Sequence, residues 1–351
     1  MSKSLYTISN RPSANSVVAM KIRDDGQLES LPGSPYETGG QGSRSSQSQN
    51  GVWIHKKLLF AVDFGSESFA LFRKAADGTL TRINDQPIPS HGNSPCSLTV
   101  NKGLLYVVNQ HIRSSGGRAE PNFSVFRLEG ETLEHLPASG FAFRRGESPT
   151  QVIANPQGNV LAIPSVRARR SLLHCYHIDQ DAAGKAEHLV PFDNSPFEIT
   201  DTGYGFGSVW HSDGKRFYMT NAIGNGSVVI LNVDRRASKI EEVDRFTTPG
   251  NACWSALSAD NSRLYVANLL SLLVFDTTGD RLKQLQSLDV DDVENPVLRD
   301  LILSPDGKFL YGLEQRERRI LIYKVKDNGR VQKAGQFAYG TRGFTLGLAI
   351  G

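Results

Sequence analysis

The sequence has few cysteines and no long apolar segment, and each shortage excludes a class of protein. Its 351 residues include only Cys96, Cys175 and Cys253, none in a CxxC pair, so no disulfide framework is expected. No run of 18 or more apolar residues occurs, and residues 1–10 lack the apolar stretch of a signal peptide. We therefore expect a soluble cytoplasmic protein with no membrane partner.

An excess of charge of one sign is also lacking. The chain has 39 Lys and Arg against 36 Asp and Glu, a net charge of +3. A strongly basic face would be expected of a nucleic-acid-binding protein, so we expect no nucleic-acid partner. Glycine, in contrast, is plentiful, with 33 residues against 16 prolines, which indicates a folded chain rich in turns.

A short apolar segment recurs seven times along the chain. Each copy has a large apolar residue near its start, usually an aromatic, and usually closes on a polar residue. These marker residues are Tyr6, Phe60, Tyr106, Leu161, Tyr218, Tyr265 and Tyr311. They lie 46 to 57 residues apart, near the period of about 50 residues that is the upper range for propeller blades.

Each repeat predicts a four-stranded antiparallel meander. A strand and a tight turn precede the marker, as in residues 301–308, where Asp306-Gly307 suits a two-residue hairpin. A third strand, another glycine turn and an outer strand follow it, as in residues 320–331. No useful amphipathic helical stretch interrupts this pattern. The sequence therefore predicts an all-β fold, a seven-bladed β-propeller of four-stranded antiparallel blades.

The two ends of the chain predict how the ring closes. Residues 5–10 form the second strand of a repeat that has no first strand, and residues 343–350 remain as an extra strand after the seventh repeat. Pairing of these N- and C-terminal strands would complete one blade and remove two exposed edges. Residues 1–351 are then a single β-propeller domain, with two separate β-domains as the alternative.

The meander sorts its turns onto two faces of the ring. The turns between first and second strands are short, and we call their side the hairpin face. The turns between second and third strands and the links between blades lie on the other side, the loop face, which holds the long segments 33–51 and 111–122. Arginines are frequent there and could hold a carboxylate or phosphate through forked hydrogen bonds. We predict Arg167 and Arg316 as substrate-binding and His111 as catalytic; solvated loop residues are the alternative.

The innermost strand of each blade begins at the loop face, so its first residues are predicted to line the central channel. The substrate-binding candidates in these strands are Gln151, Phe206, Trp254, Arg299 and Asp300. The two aromatic residues could stack on a ligand or plug a narrow channel, and Arg299 with Asp300 could form a buried ion pair. Glu314 ends its strand where most repeats carry Asn or Asp, and is the predicted catalytic acid or base.

Motifs for cofactors and metals are missing from the sequence. There is no P-loop, no GxGxxG between a strand and a helix, and no HExxH. The histidines are scattered, and the acidic residues within 289–294 could bind Ca²⁺ or simply form a solvated loop. Cys96 and Cys253 occupy similar places in the third and sixth repeats, too far apart across the ring for a disulfide. We predict no metal and no cofactor.

Several repeats resemble the lactonase-type seven-bladed propellers, a family that includes bacterial 6-phosphogluconolactonase and fungal 3-carboxymuconate cyclase. The segments that carry the resemblance are residues 304–311, 258–268 and 65–72, and the similarity extends over essentially the whole chain. It implies the propeller fold strongly and the activity only loosely, because one fold hosts many functions.

The resemblance also implies the positions of an active site, at which this chain carries other residues. Active members of the family carry a His-Pro-His stretch, an Arg-His pair and a Glu, which align here with residues 148–150, residues 206–207 and Ala222. The chain is more similar to a lactonase-like or cyclase-like branch. The residues shared with that branch, implied as the mouth of the channel, are Ser-Gln at 48–49, Ser-Pro-x-Gln at 148–151, Gly-Phe at 205–206 and Ala-Cys-Trp at 252–254.

Two functions from different classes remain. The first is a metal-independent cyclase, isomerase or lactonase acting on a small carboxylated or polyunsaturated metabolite at the loop-rich mouth of the channel. Arginines would hold an anion, Trp254 and Phe206 would pack the substrate, and Glu314 or His111 would move a proton. The second is a non-catalytic propeller that binds a protein or metabolite through its loop face. We favour a monomeric enzyme with a small-molecule substrate, because the predicted channel lining is chemically varied.

Overall fold

The computed structural model describes residues 3–43, 49–110, 120–200, 203–222, 226–290, 294–340 and 345–351. In this part of the chain the strands form seven antiparallel sheets, which follow one another in sequence as the blades of a propeller. Each sheet is built on a path of four strands, with short extra strands in the first four blades. The predicted all-β, seven-bladed architecture is confirmed.

The strands are numbered in chain order. Blade 1 contains β1 (Ser4–Ile8), β2 (Ser16–Ile22), β3 (Leu28–Ser30) and β4 (Tyr36–Glu37). Blade 2 contains β5 (Val52–His55), β6 (Leu58–Asp63), β7 (Ser68–Lys74), β8 (Leu80–Arg82) and β9 (Ile88–Pro89). Blade 3 contains β10 (Pro95–Asn101), β11 (Leu104–Asn109), β12 (Asn122–Glu129), β13 (Thr132–His135) and β14 (Phe141–Ala142). Blade 4 contains β15 (Glu147–Pro149), β16 (Ile153–Ala154), β17 (Val160–Arg167), β18 (Arg170–Ile178), β19 (Leu189–Pro191) and β20 (Phe197–Ile199).

The remaining three blades have four strands each. Blade 5 contains β21 (Tyr204–Trp210), β22 (Arg216–Ala222), β23 (Ser227–Asp234) and β24 (Lys239–Thr247). Blade 6 contains β25 (Ser255–Leu257), β26 (Arg263–Ala267), β27 (Ser271–Asp276) and β28 (Lys283–Asp289). Blade 7 contains β29 (Leu298–Leu303), β30 (Phe309–Glu314), β31 (Arg319–Val325) and β32 (Val331–Ala338), and the last strand, β33 (Leu346–Ile350), belongs to blade 1.

Four short 3₁₀ helices lie between strands, at Phe64–Ser66, Pro137–Ser139, Gln180–Ala182 and Ala186–His188. Within the described ranges, no helix has the length and apolar character needed to cross a membrane.

The ring is closed by the two ends of the chain, as predicted. Strand β1 pairs with β2 on one side and with β33 on the other, so that Leu5 lies opposite Ile350. The Ser4 amide donates to the Gly351 carbonyl at 3.1 Å, and the Gly351 amide donates back to the Ser4 carbonyl at 3.1 Å. These hydrogen bonds pair the strand edges that an open ring would expose.

The core lies between the faces of neighbouring blades. At the seam between blades 7 and 1, Leu313 and Ile320 form one buried cluster with Leu5 and Val18. Similar clusters join the other blades. Because alternate residues of each strand point to opposite faces of the sheet, every blade contributes side chains to the seams on both sides of it.

In three blades the marker tyrosine joins the blade to the next one. The hydroxyl of Tyr6 donates to the Gly78 carbonyl of blade 2 at 2.7 Å, and that of Tyr311 in blade 7 donates to the Gly26 carbonyl of blade 1 at 3.1 Å. Tyr265 makes the same contact to blade 7 at 3.0 Å. The accepting glycines have positive φ and sit in turns between third and fourth strands, which explains why glycine recurs in those turns.

The asparagines that close two of the marker segments, Asn10 and Asn268, hold turns on the loop face. Asn10 and Ser43 exchange two hydrogen bonds of 2.8 Å through the Asn10 amide and the Ser43 backbone. Asn268 donates to the Ser271 hydroxyl at 3.3 Å across the turn between β26 and β27. Both asparagines are buried, so their side chains, rather than water, form hydrogen bonds with the polar groups of the turn.

Candidate active site

A cavity of about 380 Å³ occupies part of the central channel. Its walls are the inner strands of four consecutive blades, β25, β29, β33 and β5. The cavity extends along β29 from Asp300 to Leu303, which immediately precedes the hairpin turn of blade 7. It therefore reaches the hairpin face, opposite the face where the sequence places the site. Its volume is in the range of small-molecule pockets, about 300–1,000 Å³.

Asp300 is the acidic residue of this cavity and lies at its inner end. Its side chain is buried, and the amides of Leu301 (2.8 Å) and Leu348 donate to its carboxyl group. Burial outweighs these hydrogen bonds and raises the pKa of Asp300 to about 7. A carboxyl group with this pKa exists in both protonation states at neutral pH, as acid–base catalysis requires.

A β-bulge sets the position of Asp300 in its strand. Leu298 pairs with Glu314 and Asp300 pairs with Leu313, so that Arg299 is the extra residue of the bulge. A bulge bends its strand and changes the direction of the side chains beside it. The sequence prediction of Asp300 in the channel lining agrees with its place in the cavity.

Arg299 lies next to Asp300 in sequence but extends toward blade 6. Its carbonyl accepts a hydrogen bond from the Trp254 amide at 3.2 Å, and its Nη1 lies 3.9 Å from the Cys253 Sγ. An adjacent guanidinium would lower the pKa of a carboxyl group, whereas the pKa of Asp300 is raised. The ion pair between Arg299 and Asp300 considered from the sequence therefore does not determine the charge of Asp300.

Two further polar residues meet at the inner end of the cavity. The Ser255 hydroxyl is buried and makes no hydrogen bond within the described part of the chain. The Gln49 side chain donates to the Ser255 carbonyl at 3.0 Å and accepts from the Ser208 amide at 3.1 Å. Gln49 thus joins blades 5 and 6 across the channel, and the Ser255 hydroxyl is a buried donor without a hydrogen-bond partner among the described residues.

Gln151 was predicted to bind substrate, but its side chain forms hydrogen bonds inside the ring wall. Its Nε2 donates to the Ser208 carbonyl at 3.2 Å, and its Oε1 accepts from the Ser208 hydroxyl at 2.5 Å. The residue is fully buried and connects blade 4 to blade 5. The structure does not bring Gln151 to the cavity that holds Asp300.

Trp254 and Phe206 pack together in the apolar core rather than on an open channel. They belong to one buried cluster, with exposed fractions of 1% and 7%. A Cβ atom on Gly207 would lie 2.5 Å from the Cα of Trp254, so only glycine allows this approach of blades 5 and 6. This arrangement corresponds to the plugging role, the second of the two roles considered from the sequence.

Comparison with known proteins identifies the family of this ring. The model of the family described as lactonase, 7-bladed beta-propeller, matches residues 89–346. The chain belongs to this lactonase family. No curated protein matches the chain significantly.

Solved structures similar to this lactonase-family propeller show the same fold along their whole length. A protein from Bacteroides fragilis, proposed to be a 6-phosphogluconolactonase, is 20% identical with a TM-score of 0.76, covering 99% of this chain and 98% of its own. The periplasmic gluconolactonase of Pseudomonas aeruginosa is 17% identical with a TM-score of 0.73, and a protein from Lactobacillus plantarum is 17% identical with a TM-score of 0.76. The last two alignments cover 99% of both chains.

The positions implied by the family resemblance form hydrogen bonds within the ring of this lactonase-family chain. The Thr150 hydroxyl donates to the Gly205 carbonyl at 2.8 Å, which joins blades 4 and 5. The Cys96 thiol donates to the Pro149 carbonyl at 3.5 Å, which joins blades 3 and 4. Ala222 is buried at the end of β22. Thr150 and Pro149 therefore tie inner strands together, whereas Ala222 packs inside blade 5.

Glu314, predicted as the catalytic acid or base, holds a turn. Its carboxylate accepts from the amides of Val297 (3.0 Å), Arg316 (2.9 Å) and Glu317 (2.8 Å), and lies 3.5 Å from the Arg319 Nε. The side chain is fully buried and does not line the cavity. Its contacts are those of a structural carboxylate, and its catalytic role remains an untested prediction.

The predicted loop-face residues do not converge within the described part of the chain. Arg167 ends β17 in blade 4 and Arg316 follows β30 in blade 7, on distant sides of the ring, and both are exposed. The Arg316 Nη1 donates to the Asn295 carbonyl at 3.2 Å. His111 lies outside the described residues, so its catalytic role and the loop-face site remain predictions.

The three cysteines are buried, and none of them forms a disulfide. Burial raises the pKa of the Cys175 and Cys253 thiols, which disfavours the nucleophilic thiolate form. Within the described ranges, no three His, Cys, Asp or Glu side chains are close enough together to hold a metal ion. Of the acidic segment 289–294, residues 291–293 lie outside the described residues.

Sequence reasoning missed most of the cavity wall. Trp53, Leu257 and Ile302 line the cavity near the hairpin face. The sequence did contain a signal for these residues. Side chains alternate along a strand, so a residue two positions after the first channel-lining residue of an inner strand also faces the channel. The contact between the Glu147 carboxylate and His174 Nε2 was also missed. No sequence signal joins those two residues, which lie on different strands of blade 4.

Proposed function

We propose that this protein is a metal-independent lactonase that hydrolyses a small cyclic ester bound in the channel cavity. The observation that carries the proposal is the position of Asp300, a buried carboxyl group with a pKa of about 7 at the inner end of a ligand-sized cavity. Membership of the lactonase family supports the reaction class. The cyclase and isomerase reactions predicted with it are related ring-closing and ring-opening chemistry.

Asp300 would act as general base and then as general acid. The ionised carboxylate takes a proton from water while the water oxygen forms a bond to the lactone carbonyl carbon. The ring C–O bond then breaks, and the proton passes from Asp300 to the leaving ring oxygen, giving a hydroxy acid. Ser255 would donate its free hydroxyl to the carbonyl oxygen as negative charge develops there.

The test is hydrolysis of a panel of γ- and δ-lactones after treatment with EDTA. Wild-type kcat/KM should rise with pH and level off above about 7, because the ionised form of Asp300 is the base. Asp300→Asn should reduce kcat/KM by about 100-fold or more. Asp327→Asn, the same change on an exposed turn of blade 7, should leave it unchanged.

Equal activity of wild type and Asp300→Asn would refute the role of Asp300. Complete absence of hydrolysis across the panel, with a folded protein, would instead favour the non-catalytic binding propeller. Loss of activity with EDTA and recovery with a divalent metal would refute the metal-independent mechanism.

A further inference from the structure

The polar and apolar residues of the cavity are separated along the channel. Its polar lining residues, Gln49, Asn50, Ser255 and Asp300, lie at or near the starts of their inner strands. The remaining lining residues are apolar: Val52, Trp53, Ile54, Ala256, Leu257, Leu301, Ile302, Leu303, Leu348, Ala349 and Ile350. The side chains that line the cavity are thus apolar toward the hairpin face and polar at its inner end.

The charge of the cavity disfavours an anion. None of the described residues that line it is Lys, Arg or His. A carboxylate or phosphate bound there would lose its hydration without a compensating cation and would lie close to the Asp300 carboxyl group. The predicted anion-binding residues Arg167 and Arg316 are on loop-face turns at the other end of the ring.

We infer that the cavity selects uncharged lactones that carry an apolar chain, with the ring at Asp300 and the chain extending toward the hairpin face. This inference rests on the proposed lactonase function and names its substrate class. It departs from the carboxylated substrate expected from the sequence, because the arginines that suggested an anion do not line the cavity.

The length of the cavity sets the size of the chain. Leu303 lies three residues after Asp300 in β29, a distance of about 10 Å at the rise of a β-strand. A lactone ring at Asp300 therefore leaves room for a short alkyl chain between Ile54, Leu257 and Ile302. Each methylene buried there should raise kcat/KM about fourfold, until the chain reaches the hairpin face.

The experiment measures binding and turnover separately with defined probes. The probes are δ-valerolactone, a series of its 5-alkyl derivatives, a carboxylated δ-lactone and 6-phosphoglucono-δ-lactone. Binding is followed by the rise in melting temperature of the Asp300→Asn variant, which retains the cavity but lacks the base. Turnover is followed with the wild-type protein. We expect kcat/KM to rise along the alkyl series and to be about 100-fold lower for the charged lactones.

A single lysine should change this preference. Leu257→Lys places an ammonium group in the apolar wall, and we expect it to raise kcat/KM for the carboxylated lactone about tenfold while lowering it for the alkyl lactones. Val243→Lys is the matched control, since Val243 is 47% exposed on the outer strand of blade 5 and far from the cavity. It should keep the wild-type preference.

The outcomes separate this inference from the proposed function. Turnover of charged lactones in preference to alkyl lactones, or equal effects of Leu257→Lys and Val243→Lys, overturns the substrate class and leaves the lactonase function standing. Stabilisation by alkyl lactones without turnover supports the cavity preference and contradicts the lactonase function. Absence of stabilisation by every alkyl lactone overturns the inference.

Discussion

At the scale of single residues, burial gives two aspartates the same pKa but different surroundings. The pKa values of Asp63 and Asp300 are both raised to about 7, mainly because each carboxyl group is removed from water. Asp63 accepts from the Asn15 amide group (2.9 Å) and the Thr38 hydroxyl (2.6 Å), and so holds segment 33–43 against blade 2. Asp300 lines the channel cavity and Asp63 does not, so geometry rather than pKa distinguishes the candidate active site.

Asp63 should make stability depend on pH. Between its unfolded pKa near 4 and its folded pKa of about 7, the folded protein binds a proton that the unfolded chain releases, so its contribution to stability falls as pH rises. The asparagine side chain in Asp63→Asn does not titrate, so the variant lacks this fall in stability with rising pH. The free energy of unfolding of the variant relative to wild type should therefore increase from pH 4 to pH 8, by on the order of a few kcal/mol.

Urea unfolding at several pH values measures this difference. Asp327→Asn, at an exposed aspartate, serves as the control and should show a constant difference from wild type. A difference between Asp63→Asn and wild type that does not change with pH would contradict the assignment.

The pKa of the buried Glu147 carboxyl group is lowered, whereas the pKa of Asp300 is raised. Burial by itself would raise its pKa, but the hydrogen bond and charge of His174 and the hydrogen bond from Ser165 at 2.6 Å lower it. The imidazole also lies 3.4 Å from the Tyr176 hydroxyl. A partner that can carry positive charge thus keeps Glu147 ionised, whereas Asp300 accepts hydrogen bonds from backbone amides and is readily protonated.

At the scale of elements, three seams between blades share one contact between a tyrosine and a glycine turn. The tyrosine ring fills the seam between two blades, and its hydroxyl reaches the turn of the next blade. These contacts join blade 1 to blade 2, blade 6 to blade 7 and blade 7 to blade 1, and each needs the same spacing between the tyrosine and the glycine turn. Blades 2 and 4 have Phe60 and Leu161 at this position and therefore lack the hydroxyl.

Removal of one such hydroxyl should weaken the ring slightly. Tyr311→Phe keeps the ring in the seam but deletes the hydrogen bond to Gly26, which leaves a buried carbonyl without this donor. We expect a loss of about 1 kcal/mol in the free energy of unfolding. Urea unfolding measures it, with Tyr204→Phe at a half-buried site as the matched control. Equal effects of the two substitutions would show that the hydroxyl contact does not stabilise the seam.

At the scale of the whole molecule, the ring depends on hydrogen bonds between its two ends. Strand β33 supplies the innermost strand of blade 1 and also part of the cavity wall. Closure and the candidate active site are therefore coupled, because Leu348 donates its amide to Asp300 and lines the same cavity.

Deletion of residues 346–351 should prevent stable folding, while moving the chain ends should not. The deletion removes a buried strand and exposes the edge of β1. A circular permutant that joins Gly351 to Ser4 through a short linker and opens the exposed turn between Lys56 and Lys57 retains every strand. We expect its melting temperature to lie within a few degrees of wild type. Thermal unfolding by circular dichroism measures both, and a stable, folded deletion protein would show that the end pairing is dispensable.

The fold could be predicted from the sequence far more completely than the site. The seven markers and the leftover terminal strand were sufficient for the blade number and the closure, because both depend on local periodicity. Asp300 was also predicted in the channel lining. Gln151 and Trp254 were predicted at a channel mouth, but side-chain contacts with distant blades place them inside the ring wall. Those contacts depend on distances across the channel, which periodicity does not contain.

The sequence by itself determined the repeat, the turns and the pairing of the chain ends, since each follows from alternation, glycine positions and strand order. The tertiary structure decided where the described cavity lies and what it can bind. Gln49, Trp254 and Gly207 come from distant parts of the chain and meet where blades 5 and 6 approach each other. The bulge at Arg299 sets Asp300 at the inner end of the channel cavity. Burial at that position, rather than any neighbouring residue in the sequence, gives Asp300 its pKa near 7.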